Sequence, residues 1–129
     1  MGRLADSSNT ETMNLGTSSL MNIASSGDFT IVIWVNTSDT VGAVVSFRNA
    51  VGTPNPIIDL MIGYNGISLN NGRPEAIWRG DSGTYQSLVA GSTKNDSVWH
   101  AWAYTKTGGA TTQLWIDSTS EATATSTLT

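Results

Sequence analysis

Residues 29–36 read Phe-Thr-Ile-Val-Ile-Trp-Val-Asn, and this stretch decides the fold class. Its β-branched and aromatic residues fit a pleated strand better than a helix. Successive side chains of a strand point to opposite faces. One face therefore carries Phe29, Ile31, Ile33 and Val35, and the other carries Thr30, Val32, Trp34 and Asn36. Apolar groups on both faces predict a central strand covered on both sides.

Outward from this strand, short apolar runs recur about every ten residues, separated by Gly, Asn, Asp and Pro, which is the spacing of a β-sandwich or barrel. Val41–Phe47 reads as the next strand, and Pro54 and Pro56 then break the ladder because proline has no N–H to donate. Ile57–Ile62, Ile67–Leu69, Glu75–Arg79, Thr84–Ala90, Val98–Thr105 and Gln113–Asp117 read as further strands, with Thr12–Leu15 and Leu20–Ile23 before them. Asn65-Gly66 and Asn71-Gly72 predict tight turns, since both residue types tolerate positive φ. Gly80–Gly83 and Gly108-Gly109 read as turns too. On Val98–Thr105, Trp99, Ala101 and Ala103 share one face, and His100, Trp102 and Tyr104 share the other. No window repeats apolar residues at helical spacing. Residues 1–11 read as an N-terminal arm and residues 12–129 as one domain, whose Ser- and Thr-rich tail from Ser118 adds one weak strand or becomes ordered on a partner.

Composition narrows the function. A chain of 129 residues suits one domain. Ser, Thr and Asn fill 44 positions, Gly another 13, and only 12 % of residues are charged, which is the polar, weakly charged surface of a loop-rich β protein. The net charge is −4, and the basic residues Arg3, Arg48, Arg73, Arg79, Lys94 and Lys106 are scattered. Nucleic acid and a polybasic membrane anchor both need a basic cluster, so neither is an expected partner. The absence of Cys excludes disulfides, thiol chemistry and cysteine-bound zinc. The first residues lack the apolar core of a secretory signal, and the apolar run Ile31–Val35 is too short to span a bilayer. The expected setting is synthesis in a host cytoplasm and residence in a virion. The alternative is an extracellular module of a larger protein.

Three segments carry a resemblance. SGDFTIVIWVNTSD, SLNNGRPEAIWRGDSG and NDSVWHAWAYTKTGGATTQLWIDS occur in that order. Within them stand Phe29-Thr30, Trp34-Val35, Asn71-Gly72-Arg73, Trp99-His100 and Leu114-Trp115-Ile116-Asp117, and Met13–Ile23 suits the opening strands. Over about residues 12 to 128 the chain resembles the laminin-G-like, or concanavalin-A-like lectin and glucanase, jelly roll. The resemblance implies an all-β, antiparallel β-sandwich of jelly-roll type. The chain departs from the family pattern in two ways: Ser118 replaces the usual Gly after Asp117, and one or two closing strands are missing. An unclosed sheet leaves unpaired backbone groups, so the expectation is that the N-terminal arm covers them, that another chain does, or that the sequence is a fragment.

Candidate sites follow from residue chemistry. The glucanases of this fold resemble one another in a Glu-x-Asp-x-x-Glu trio, whereas Glu occurs here only at positions 11, 75 and 121 and never in that pattern. Retaining hydrolysis needs two carboxyls about 5 Å apart, so no catalytic residue is assigned and the protein is read as non-enzymatic. His100, the only imidazole, reads as a strand histidine held by a neighbour, because no nucleophile-elbow pattern surrounds any Ser. Asp81, Asp96 and Asp117 lie at strand ends and could offer oxygens to a rim Ca²⁺, but no Asp-rich loop spacing is present. They read as solvated turn carboxylates, and no metal or cofactor is expected. Arg79-Gly80-Asp81 reads as an ordinary turn rather than an adhesive tripeptide. Trp34, Trp99, Trp102 and Trp115 fall inside strands and are expected mostly in the core, each burying about 200 Å². Trp78 and Tyr85, with Asn71 and Arg73, form the carbohydrate-binding candidate, an exposed aromatic pair beside amide and guanidinium donors. Cross-strand aromatic packing is the plainer reading of that pair.

Two functions are expected from these features. The first is a structural protein, a phage virion decoration or cement protein that forms homo-oligomers, trimers among them, with other virion proteins as partners. The second is a carbohydrate-binding, lectin-like adhesion module with glycans as its partners.

Overall fold

The computed structural model describes residues 27–48, 57–63, 70–79, 85–107 and 111–125. Eight strands run through them: β1 (Phe29–Val35), β2 (Gly42–Arg48), β3 (Ile57–Ile62), β4 (Pro74–Arg79), β5 (Tyr85–Val89), β6 (His100–Thr107), β7 (Thr111–Ile116) and β8 (Thr119–Thr125). They form two four-stranded sheets, sheet A in the order β1-β6-β7-β8 and sheet B in the order β2-β3-β4-β5. Every pairing is antiparallel. The all-β sandwich expected from the sequence is therefore present. The exchange of strands that would make it a jelly roll is not seen among the described strands: sheet B is a meander of four consecutive strands, and sheet A joins β1 to the meander β6-β7-β8. The arm 1–11, the early strands Thr12–Leu15 and Leu20–Ile23, the strand Ile67–Leu69 and the turns at 65–66, 80–83 and 108–109 lie outside the described residues.

The core lies between the sheets. Sheet A contributes Val35, Trp102, Tyr104, Leu114 and Ile116, and sheet B contributes Ile58, Leu60, Ile62, Ala76, Trp78 and Leu88. Alternation explains the set: β6 buries His100, Trp102, Tyr104 and Lys106 and turns Ala101, Ala103 and Thr105 outward. Phe29 ties the sheets together, with its ring 5.1 Å from that of Trp78 and 5.4 Å from that of Tyr104. Lys106 is fully buried on the same inner face, its Nζ 4.3 Å from the Trp78 ring centroid, in cation–π range. Burial pulls the Lys106 pKa down, opposed by Asp28. Burial pushes the Tyr104 hydroxyl far above its ordinary range.

Side chains join the sheets where β5 meets β8. Gln86 accepts a hydrogen bond from the Thr112 hydroxyl at 3.0 Å and donates to the Thr125 carbonyl at 3.1 Å. Glu121 is the extra residue of a bulge in β8 and accepts the Gly91 N–H at 3.0 Å. Residues 119–125 are thus a strand on this chain's own β7, the further strand expected of the tail from Ser118, rather than a segment that needs a partner to become ordered.

The expected place of residues 29–36 is corrected as well. Among the described residues β1 pairs only with β6 and is an edge strand with one buried face. Both faces are covered instead on β4, where Pro74 to Trp78 are all buried. The positive φ expected for the Asn71-Gly72 turn falls on Gly72 alone, at +75°. Gly72 donates to the Thr40 carbonyl and accepts from the Lys94 N–H, at 2.8 and 2.7 Å, which fastens the β1–β2 connection and the loop before β6 to this turn.

Candidate functional site

The outer face of sheet A is built from the residues that alternation turns away from the core. Thr30, Val32 and Trp34 stand on β1, Ala101, Ala103 and Thr105 on β6, Gln113 and Trp115 on β7, and Thr123 on β8. The register sets Trp34 beside Ala101, and Val32, Ala103 and Trp115 in one row across three strands. Small residues on β6 leave a shallow floor between larger neighbours. The resulting depression, about 350 Å³, is lined by Val32, Ala101, Ala103, Thr105, Trp115 and Ser118. Trp34 is 67 % exposed, Val32 60 % and Trp99 56 %. Trp99 precedes β6 by one residue and continues the alternation of Ala101 and Ala103. Within the four strands no described charged side chain stands on this face, since Lys106 points inward and Glu121 turns to Gly91; Asp28 before β1 and Asp117 after β7 border it. Thr30, Thr105, Gln113 and Thr123 supply hydroxyl and amide groups instead, and Gln113 reaches Thr123 at 3.4 Å.

A charged cluster closes one end of this face. His100, 8 % exposed, lies between two aspartates, with Nδ1 at 2.6 Å from Asp117 Oδ2 and Nε2 at 3.0 and 3.2 Å from the Asp96 oxygens. Each aspartate also accepts a backbone N–H, Asp96 from Val98 at 3.0 Å and Asp117 from Ala101 at 2.9 Å. With a carboxylate at each ring nitrogen, the doubly protonated ring is favoured. The Asp117 hydrogen bond, aided by Asp96, raises the His100 pKa above its ordinary 6.5 against the opposing effect of burial. Asp117 is lowered chiefly by His100, and Asp96 chiefly by the Val98 N–H and then by His100. Ser97, Asp117 and Ser118 are the non-glycine residues with positive φ among those described, at +62°, +49° and +69°, and all three flank the cluster. Such backbone costs about 1–2 kcal/mol per residue, so the cluster holds turns that the chain does not favour by itself.

The structure separates the sequence-predicted carbohydrate candidates. Asn71 is exposed on the turn before β4 and Arg73 is half-buried beside it. Trp78 lies five residues farther along an extended strand, about 16 Å away at strand rise. It is 4 % exposed, packed against Phe29 and under Lys106. Its ring is not open to a sugar, which agrees with the packing reading. Tyr85 stands opposite Arg79 in the β4–β5 register, and its side chain lies outside the described residues. The tryptophans therefore exchange roles: Trp78 joins Trp102 in the core, while Trp34 and Trp99, expected inside, are exposed. Of the carboxylates weighed as Ca²⁺ donors, Asp96 and Asp117 meet on His100, and Asp81 lies outside the described residues, as does Gly80, so that of Arg79-Gly80-Asp81 only Arg79 is described.

One carboxylate pair escaped the sequence reading. Asp59 on β3 and Glu75 on β4 both face away from the core and lie diagonally across the ladder, two residues off register. Each is 2 % exposed. Ser46 donates to Asp59, Ser87 donates to Glu75, and Asn70 donates to Glu75 at 3.4 Å. The sequence signal was alternation within IIDLMI and PEAIWR, which puts an acid among apolar residues on two adjacent strands. Buried and engaged by serines, the pair offers no access to a glycosidic bond.

The chain matches no protein-family model and no curated protein.

Proposed function

We propose that this protein is a non-enzymatic carbohydrate-binding module, whose ligand lies across the outer face of sheet A. The single observation that carries the reading is the pair of exposed indoles, Trp34 and Trp99, on a face whose described strand residues are apolar or neutral. A sugar ring presents C–H groups that stack on an aromatic face and hydroxyls that exchange hydrogen bonds with Thr, Ser and Gln. A neutral glycan meets no unpaired charge here, so its binding carries no ionic desolvation penalty. The non-enzymatic part rests on His100, whose two ring nitrogens are both taken by carboxylates and leave no lone pair to activate a nucleophile.

The experiment is calorimetric titration with four soluble neutral polysaccharides: a β-glucan, a xylan, a mannan and a dextran. At least one is expected to bind saturably with millimolar or tighter affinity, and Trp34→Ala is expected to weaken it at least tenfold. No binding by any of the four, or binding that survives Trp34→Ala, contradicts the reading.

A second reading is assembly as a virion decoration protein. The observation that favours it lies on the other sheet, where Val41 and the bulged Val44 of β2 are 42 and 39 % exposed. A glycan on sheet A leaves these valines bare, whereas a neighbouring subunit covers them. Sedimentation velocity across a hundredfold concentration range separates the two, since assembly requires a concentration-dependent homo-oligomer.

A further inference from the structure

We infer that His100 is a positioning residue for Trp99, and that its imidazolium acts as a clasp that loosens when the ring loses a proton. Its use in ligand binding rests on the carbohydrate reading; the clasp itself rests on geometry alone. His100 joins two segments by side-chain hydrogen bonds, the loop before β6 through Asp96 and the β7–β8 turn through Asp117. Trp99 is the residue between that loop and His100, and Ser118, which follows Asp117, lines the depression on the outer face. Both borders of the binding face are thus pinned to one ring. The pins run on into the backbone, because the same carboxylates accept the Val98 and Ala101 N–H groups. The Asn36 side chain donates to the Ser97 carbonyl at 3.1 Å, and the Ser97 N–H donates to the Thr37 carbonyl at 3.1 Å, so the loop is also tied to the end of β1 beyond Trp34.

The clasp needs two donors. A neutral imidazole has one N–H, so its other nitrogen turns a lone pair toward a carboxylate, and one of the two bonds becomes repulsive. The charged groups around the ring are Asp96 from the loop, Asp117 from the turn and Lys94, which acts on Asp117; β1 places only the apolar Val35 opposite His100, and the buried neighbours Trp102 and Ile116 on β6 and β7 are uncharged. The strained φ values of Ser97, Asp117 and Ser118 supply the tendency to relax once a bond is lost.

The test follows Trp99 rather than ligand. In the intact protein, the indole N–H resonance of Trp99 and the His100 ring C–H are recorded by NMR between pH 5 and 9, with exchange protection of the Val98 and Ala101 amides. The Trp99 signal is expected to move with the His100 midpoint, which lies above 6.5, and protection at Val98 to fall at least threefold beyond the change in intrinsic rate. In His100→Gln the Trp99 signal is expected to stay flat over this range. Should that variant not fold, Asp96→Asn is expected to remove the movement while His100 keeps its bond to Asp117. A Trp99 signal that ignores the His100 midpoint, or a midpoint at or below 6.5, overturns the inference. Polysaccharide titrations at pH 6 and pH 9 keep the two readings apart: binding at neither pH counts against the carbohydrate reading alone, because the NMR outcome still decides the clasp.

Discussion

Trp34 and Ala101 stand opposite each other in the β1–β6 ladder, and the methyl group of Ala101 leaves one side of the Trp34 indole uncovered. A large apolar side chain held open beside a small one is an unusual use of a sheet face. Because Trp34 is mostly exposed, Trp34→Ala is expected to change stability by no more than about 0.5 kcal/mol, while abolishing polysaccharide binding. Ala101→Leu fills the floor and is expected to weaken binding too, with the fold intact. Thermal unfolding and calorimetric titration of both variants check this.

Trp78 predicts the opposite pattern. Its ring is buried, packed on Phe29 and capped by Lys106. Trp78→Ala is expected to cost about 3–5 kcal/mol by creating a cavity in the core. It also removes the ring that faces the buried Lys106 ammonium. Urea unfolding measures the loss, and a change under 1 kcal/mol contradicts the assignment of Trp78 to the core.

Gly72 holds a left-handed φ of +75°, and a Cβ there would stand 2.6 Å from the Asn95 side-chain oxygen. Gly72→Ala is expected to destabilise by about 1–3 kcal/mol, from the backbone term plus the displaced amide. Adding Asn95→Gly relieves the contact and leaves the φ cost, so the double variant is expected to recover part of the loss. Urea unfolding of both separates the two contributions.

The His100 cluster sets a pH window for stability. Its pKa is raised in the folded protein, so this contribution is complete below the ordinary value of 6.5 and is lost as pH rises through the folded value. Asp96 and Asp117 are lowered, so their contribution is complete above 3.8 and is lost as pH falls through their folded values. Stability from the cluster is therefore expected to be greatest between about pH 4 and 6.5. His100→Gln is expected to flatten the alkaline limb of a urea-midpoint profile, and an unchanged limb contradicts the assignment.

Much of the fold is legible in the chain because strand alternation is a local property. Ile57–Ile62 forms a strand as read, and the split of Ala101 and Ala103 from His100, Trp102 and Tyr104 is seen in β6, with Trp99 just before it. Strand order is not local. FTIVIWV carries apolar groups on both faces wherever it sits, and only its pairing with β6 alone shows that the Val32 and Trp34 face is open. The same limit left Trp78 with two readings, an exposed sugar-stacking ring or cross-strand packing, and only the flanking of β4 by β3 and β5 decides for packing. The His100 cluster was half legible. Asp96 and Asp117 read as turn carboxylates at strand ends and His100 as a histidine held by a neighbour, but the sequence separation of 17 between His100 and Asp117 is closed only by the β6–β7 register.

The most direct test of the central claim is titration of the intact chain with the four neutral polysaccharides while its tryptophan fluorescence is followed, beside Trp34→Ala and Trp99→Ala. The account predicts a saturable change with at least one polysaccharide, lost in Trp34→Ala and reduced in Trp99→Ala. A flat response to all four, together with a concentration-dependent oligomer that Trp34→Ala dissolves, would contradict it and assign the face to another protein subunit.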